Sequence, residues 1–180
     1  MSNKAKFNFK GFIKGGQIAK QENERQRALK RYKSLYYGLT SILYPIWEEA
    51  WKEMPGNTFK QERFYLCPGK READGSYTFP EVDWDAYNEF RSQCWQEFLE
   101  HDLGIMKPLE VMPMRDIKSS RENLIAFCRE NGQELGFPEG ETSVMPDEAQ
   151  VIEHLIQVNT ENLRSRGQYT TQQLPEEVAF

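Results

Sequence analysis

One apolar stripe in residues 29–43 constrains the fold of this chain more than any other feature of its sequence. Its members follow one another at intervals of three and four residues: Leu29, Tyr32, Tyr36, Leu39 and Leu43. Because an α-helix turns once every 3.6 residues, this spacing places all of these side chains on one face. The stripe therefore predicts a helix that begins at Gln17 and buries this face against the rest of the protein.

Proline and glycine residues predict where this first helix ends. Pro45 has no backbone N–H, and its ring clashes with the carbonyl of Ser41, so the helix should kink or stop there. A second helical stretch should then carry Trp47 and Trp51 and end at residues 55–56, where the sequence is Pro-Gly.

Capping patterns predict three later helices. Asp83 is suited to the N-cap of one helix, because a carboxylate accepts hydrogen bonds from the free N–H groups of a first turn. Ser119 with Glu122 matches a capping box, which predicts the start of a second helix. Pro146 and Asp147 predict the start of the last helix.

The segment before Asp83 has a different pattern. Two short aromatic runs, 63–67 and 76–79, flank a segment rich in turn-forming residues, 68–75. This arrangement predicts a β-hairpin around residues 59–79, which must pack on the helices because two strands alone are marginal in water. The predicted fold is mainly α, with about four to five helices, one small β-hairpin and an extended basic N-terminal arm.

Composition divides the 180 residues into three predicted segments. Residues 1–16 form the extended arm, because phenylalanines alternate there with polar residues and a glycine pair ends the run. Residues 17–167 form a single mainly helical domain, and residues 168–180 form a C-terminal tail. Two tryptophan-bearing segments, 47–51 and 84–95, should meet in the core of the domain.

The charge of the chain is divided between a basic start and an acidic remainder. Residues 1–34 carry ten basic and two acidic side chains, whereas residues 35–180 carry thirteen basic and twenty-six acidic ones. These charges of +8 and −13 add to the net charge of −5 at pH 7. A basic segment on an acidic body is typical of a chain that binds an anionic partner.

The candidate binding residues lie in this basic segment. Lysines recur along the arm with phenylalanines between them, so an extended chain could follow a phosphate backbone and stack on bases of DNA or RNA. Cations on the helix that follows are spaced to form one strip. The predicted binding residues are Lys4, Lys6, Phe7, Phe9, Lys10, Phe12, Lys14, Lys20, Arg27, Lys30 and Arg31. An acidic protein surface, including that of a second copy of this chain, is the alternative target.

We find no motif in the sequence for a cofactor, a metal or a catalytic nucleophile. The two histidines, His101 and His154, lack the close cysteine or histidine neighbours that zinc sites use. The three cysteines are widely spaced, which is typical of reduced thiols rather than of a disulfide framework. No apolar run is long enough for a signal peptide or a membrane span, so we expect a cytoplasmic protein or a component of an intracellular assembly, not a secreted one.

These observations favour a non-enzymatic interaction or assembly protein, whose basic aromatic arm docks onto a larger protein or nucleoprotein complex. A component of a phage or another mobile element would fit this description. Two alternatives stay open. One is a small inhibitor protein that uses its acidic face against a basic nucleic-acid-binding partner, and the other is a divergent enzyme that uses His101 or His154 as a general base.

Overall fold

The computed structural model describes residues 9–54, 61–137 and 146–167, with the side chains from Gly16 onward. This part of the chain contains four α-helices: α1 (Phe9–Glu53), α2 (Trp84–Glu97), α3 (Met114–Glu130) and α4 (Glu148–Ser165). A turn of π-helix, Phe98–Asp102, continues α2. The predicted mainly α fold with a small β-hairpin is confirmed.

Helix α1 begins eight residues earlier than predicted. It starts at Phe9 rather than Gln17, so residues 9–16 are helical and not extended. Residues 1–8 of the predicted arm lie outside the described residues. Extending an existing helix adds a hydrogen bond for each residue without a new nucleation cost. The glycine pair at 15–16 costs about 1 kcal/mol per residue relative to alanine, and this cost does not end the helix.

Helix α1 also runs through Pro45, so of the predicted kink or end at this residue, the end is wrong. A proline in a helix interior costs about 3 kcal/mol. Packing on both sides of the proline offsets this cost, since Leu43 before it and Trp51 after it are both buried. Full burial of a large apolar side chain contributes about 1.5–3 kcal/mol.

The core forms where α1 packs against α3 and α4. The predicted stripe on α1 is confirmed as its buried face, because each of its members is at most 6% exposed. Ile117, Leu124 and Cys128 of α3 are buried against it, together with Val151 and Leu155 of α4. The longest helix of the described chain is therefore held by two shorter ones through a shared apolar cluster.

A connector between the π-turn and α3, residues 103–113, packs on the same core. The hydroxyl of Tyr32 donates to the carbonyl of Met106, and the Met106 N–H donates to the Ser120 hydroxyl at 3.3 Å. Tyr32 and Ser120 are at most 1% exposed, so these bonds satisfy polar groups that water does not reach. Burial raises the pKa of the Tyr32 hydroxyl, which therefore stays a hydrogen-bond donor at neutral pH.

Helix α3 begins at Met114, so the predicted capping box of Ser119 and Glu122 is wrong. Pro113 stands directly before the first turn, where a proline is tolerated because the first N–H groups have no partner within the helix. The earlier start adds a turn that buries Ile117 against the core. Burial of apolar surface thus sets the start of this helix, rather than the local capping pattern.

The two other predicted caps are confirmed. The Asp83 carboxylate accepts from the Ala86 N–H at 3.0 Å at the start of α2. The Asp147 carboxylate accepts from the Gln150 N–H at 2.8 Å, and the Gln150 side chain bonds back to the Asp147 N–H at 2.9 Å. These bonds satisfy donors that a helix start otherwise leaves free.

The β-hairpin reaches further than the predicted end at residue 79. Its four short strands are β1 (Tyr65–Cys67), β2 (Lys70–Arg71), β3 (Tyr77–Thr78) and β4 (Glu81–Val82). Strand β2 pairs with β3 near the tip and β1 pairs with β4 at the base, in both cases antiparallel. Residues 59–60 of the predicted hairpin lie outside the described residues.

An aromatic layer joins the C-terminal half of α1 to α2. The Trp47 ring stacks on Trp51, with 5.7 Å between their centroids, and contacts Trp95 at 5.2 Å. Trp51 also contacts Tyr87 at 6.0 Å. The predicted meeting of the two tryptophan segments is confirmed, although Trp84 is 54% exposed and lies at the edge of this layer.

The cysteines differ in burial, which predicts a difference in reactivity. Cys67 is exposed, whereas Cys128 is buried. Burial raises the pKa of the Cys128 thiol to about 12, so its reactive thiolate is scarce near pH 8, where an ordinary thiol is partly ionised. We expect iodoacetamide to label Cys67 first and to leave Cys128 unlabelled until urea unfolds the chain, as measured by peptide mass spectrometry. Rapid labelling of Cys128 in the native protein would contradict this packing.

Candidate partner-binding surface on helix α1

The N-terminal part of α1 extends beyond the core. The first side chain of α1 that is buried, among those described, is Leu29, and residues 16–24 are all exposed. At 1.5 Å per residue, the helix from Gly16 to Leu29 is about 20 Å long. A stretch of helix therefore presents its side chains to solvent before α1 enters the body of the protein.

Arg25 marks the point where this helix first contacts the connector. Its guanidinium donates to the backbone carbonyls of Glu110 at 2.7 Å and Met112 at 3.0 Å. It also donates to both carboxylate oxygens of Glu22, at 2.6 and 3.0 Å. The hydrogen bonds from Arg25 lower the pKa of Glu22 to about 2. Arg25 therefore connects α1 to the connector, and its positive charge is paired with the Glu22 carboxylate.

The positive charge of Lys33 is also paired within the chain. Its ammonium group forms an ion pair with the Glu110 carboxylate, on the same connector that Arg25 contacts. Arg25 and Lys33 are among the basic residues of the first 34, but their partners on the connector are not evident from the sequence. Only the i, i+3 spacing of Glu22 and Arg25 was visible as a local signal.

Four cations predicted to bind a partner remain exposed on α1: Lys20, Arg27, Lys30 and Arg31. Among the described side chains, no carboxylate forms an ion pair with any of them. Each residue turns an α-helix by about 100°, so the four cations lie within an arc of about 100° on the side opposite the buried stripe. Lys20 and Arg31 are about 16 Å apart along the axis. We call these four residues the cationic strip.

The other predicted binding residues are placed less completely. Helix α1 includes four of them, Phe9, Lys10, Phe12 and Lys14, but the structure does not describe their side chains. Lys4, Lys6 and Phe7 also lie outside the described part of the chain. Of the eleven predicted binding residues, the structure therefore places the side chains of the four that form the cationic strip.

The surface around the cationic strip is polar. Side-chain amides of Gln17, Gln21, Asn23 and Gln26 are exposed on the same turns. Within residues 16–31, the one large apolar side chain that is exposed is Ile18. This part of α1 thus offers positive charge and hydrogen-bonding groups, with almost no apolar surface for a partner to cover.

A shallow groove of about 470 Å³ lies between α1 and α2. Its lining combines aromatic and polar side chains: Tyr36, Tyr37, Thr40, Glu89, Ser92, Gln93, Trp95, Gln96 and Lys107. Burial raises the pKa of Tyr36 to about 12, so its hydroxyl stays protonated at neutral pH. Its described lining contains neither histidine nor cysteine, so neither His101 nor His154 lies in this groove.

The two histidines considered as general bases lie in different surroundings. His101 is exposed in the π-turn after α2, whereas His154 of α4 packs on Phe137 with 4.6 Å between the ring centroids. Among the described residues, no group of three or more His, Cys, Asp or Glu side chains is placed to hold a metal ion. In the same parts of the chain, no helix combines the length and apolarity required to cross a membrane.

Comparison with known proteins gives no relative from which a function could be transferred. Protein-family models, curated proteins and solved structures were each compared with this chain, and none matched it. The chemistry of the surface on α1 is therefore the basis of the functional argument.

Proposed function

We propose that this protein is a non-enzymatic interaction or assembly component, whose basic N-terminal helix docks onto a larger protein or nucleoprotein complex. The observation that supports this function most directly is the cationic strip, which begins in the exposed stretch of α1 before Leu29 and continues on the face of the helix opposite the buried stripe. The strip and the body of the protein lie on opposite faces of the helix. A partner can therefore cover the cations while the core stays as it is.

The exposed stretch also lacks the packing that stabilises most helices in proteins. It continues a helix that is already nucleated, but most helix stability comes from packing of an apolar face. Residues 16–24 have no buried side chain to supply such packing. A bound partner would stabilise this part of the helix, and the unpaired cations indicate that the partner is anionic.

A deletion tests the proposed docking. The chain called the 1–21 deletion lacks residues 1–21 and carries Arg27→Gln, Lys30→Gln and Arg31→Gln, so it loses the whole cationic strip. It retains the pair of Glu22 with Arg25 and all of the buried side chains of the described core. We expect the full-length chain to co-sediment with a larger complex in a density gradient of lysate from its source, and the shortened chain to stay at the position of the free protein.

The control is a chain that lacks residues 168–180, which should co-sediment as the full-length protein does. Urea unfolding of both deleted chains should show the midpoint of the full-length protein, since neither deletion removes a residue of the core cluster in the described part of the chain. Equal sedimentation of the 1–21 deletion and the full-length chain within a large complex would contradict the proposed function.

A further inference from the structure

We infer that the cationic strip binds the phosphate backbone of double-stranded DNA, with the exposed part of α1 lying in a major groove. This inference rests on the proposed docking function and names the partner of the same surface. Three properties of the described residues support it: the free charges, the shape of the exposed helix and the lack of an apolar anchor.

The charges of the strip are available to a ligand. Arg25 and Lys33 are already paired with carboxylates of the chain, whereas Lys20, Arg27, Lys30 and Arg31 form no ion pair with a described carboxylate. Duplex DNA carries one negative charge for about 1.7 Å of its axis, so an array about 16 Å long faces several phosphates. Each cation that neutralises a phosphate releases condensed counterions, and this release drives binding.

The exposed helix also has the shape that a major groove admits. An α-helix with its side chains is about 10–12 Å across, and the major groove of B-DNA is about 12 Å wide. Residues 16–24 are exposed all round the helix, so this part of α1 can enter a groove without the core following it. The major groove of double-stranded RNA is deep and narrow, which favours DNA as the duplex.

The composition of the exposed helix favours DNA over a protein. Protein interfaces depend on a buried core of apolar and aromatic anchors, and lysine is depleted in them. This surface exposes Ile18 as its one large apolar side chain within residues 16–31. The Asn23 amide lies within the arc of the strip and is a group that bonds adenine edges, and the exposed carboxylate of Glu24 beside the strip can accept from cytosine.

The acidic remainder of the chain limits how DNA is approached. Residues 35–180 carry a net charge of −13, which phosphates repel. The repulsion turns the acidic body away from the duplex and leaves the cationic strip, on the opposite face of α1, as the contact. Binding should therefore depend on the strip itself rather than on the overall charge of the protein.

The test compares two full-length variants that each lose four positive charges. The strip variant carries Lys20→Gln, Arg27→Gln, Lys30→Gln and Arg31→Gln. The matched control changes four exposed cations elsewhere, none of them ion-paired within the described residues: Arg71→Gln, Lys118→Gln, Arg164→Gln and Arg166→Gln. Binding is measured by fluorescence anisotropy with a duplex of about 20 base pairs of mixed sequence, at about 50 and 200 mM salt.

We expect the unmodified protein to bind the duplex at low salt and to lose affinity as salt rises. The strip variant should bind on the order of 100-fold more weakly at about 50 mM salt, and its log–log salt slope should be shallower by about 3.6, because each lost phosphate contact removes about 0.9. The control variant should keep the slope of the unmodified protein. Circular dichroism melting should show all three proteins folded alike.

Two results of the binding assay would overturn the inference: no binding of the unmodified protein at low salt, or an equal loss in the strip variant and the control.

Nuclease treatment separates the inference from the proposed function. If DNase releases the full-length chain from its complex, DNA is supported as the partner. If the chain stays in the complex after DNase while the 1–21 deletion leaves it, docking stands but its target is not DNA. If that deletion still co-sediments, docking itself fails.

Discussion

Gly38→Ala should destabilise the protein by about 2–3 kcal/mol, although alanine stabilises an ordinary helix position by about 1 kcal/mol relative to glycine. A Cβ atom on Gly38 would lie 2.2 Å from the carbonyl oxygen of Leu155 and 2.8 Å from its carbonyl carbon. Both are backbone atoms of α4, so no side chain can rotate to make room. The two helices would have to separate, and the buried contacts around Val151 and Leu155 would loosen.

A glycine on the same helix supplies the control for this variant. A Cβ on Gly16 would have nothing within 4 Å, so Gly16→Ala should leave the stability unchanged or raise it slightly. Urea unfolding followed by circular dichroism measures both effects as shifts in the midpoint. If Gly38→Ala is as stable as the unmodified protein, α1 and α4 are not as close as the structure places them.

Trp51→Ala should cost about 3–5 kcal/mol of stability, which is the usual range for removing a large buried aromatic side chain. Trp51 is 4% exposed and lies between Trp47 and Tyr87, with ring centroids 5.7 and 6.0 Å away. Its loss would leave a cavity where the C-terminal half of α1 meets α2. The same packing offsets the cost of Pro45, so the helix beyond the proline should lose order as well.

Trp84→Ala is the matched control within the same aromatic layer. The Trp84 ring contacts Tyr87 at 5.8 Å but is 54% exposed, so its removal should cost less than about 1.5 kcal/mol. Both variants can be compared by urea unfolding, with far-ultraviolet circular dichroism reporting helix content. Equal losses in the two variants would mean that burial does not distinguish these tryptophans, contrary to the structure.

Several elements were predictable because their causes are local in the chain. The stripe from Leu29 to Leu43 specifies a buried helix face through spacing alone. Asp83 and Asp147 specify helix starts because each carboxylate bonds an N–H only three residues away. Such interactions depend on a few neighbouring residues, and so they can be recognised without the rest of the fold.

Elements governed by distant contacts were predicted wrongly or not at all. Pro45 was expected to kink or end a helix, because the cost of proline is local while the packing that offsets it comes from distant parts of the chain, including α2. Ser119 was expected to begin α3, because the core that buries Ile117 is not visible in the capping pattern. The need for glycine at position 38 arises from the backbone of α4, more than a hundred residues later in the chain.

The candidate binding surface shows the same division. The sequence by itself determined that positive charge is concentrated near the N-terminus and that Lys20, Arg27, Lys30 and Arg31 fall on one side of a helix. Only the tertiary structure decided which of these cations are paired with other groups of the described chain. The connector brings Glu110 to Lys33 and backbone carbonyls to Arg25, although these groups are far apart in sequence. Charge is a property of each residue, but pairing depends on distance in space, and folding sets that distance.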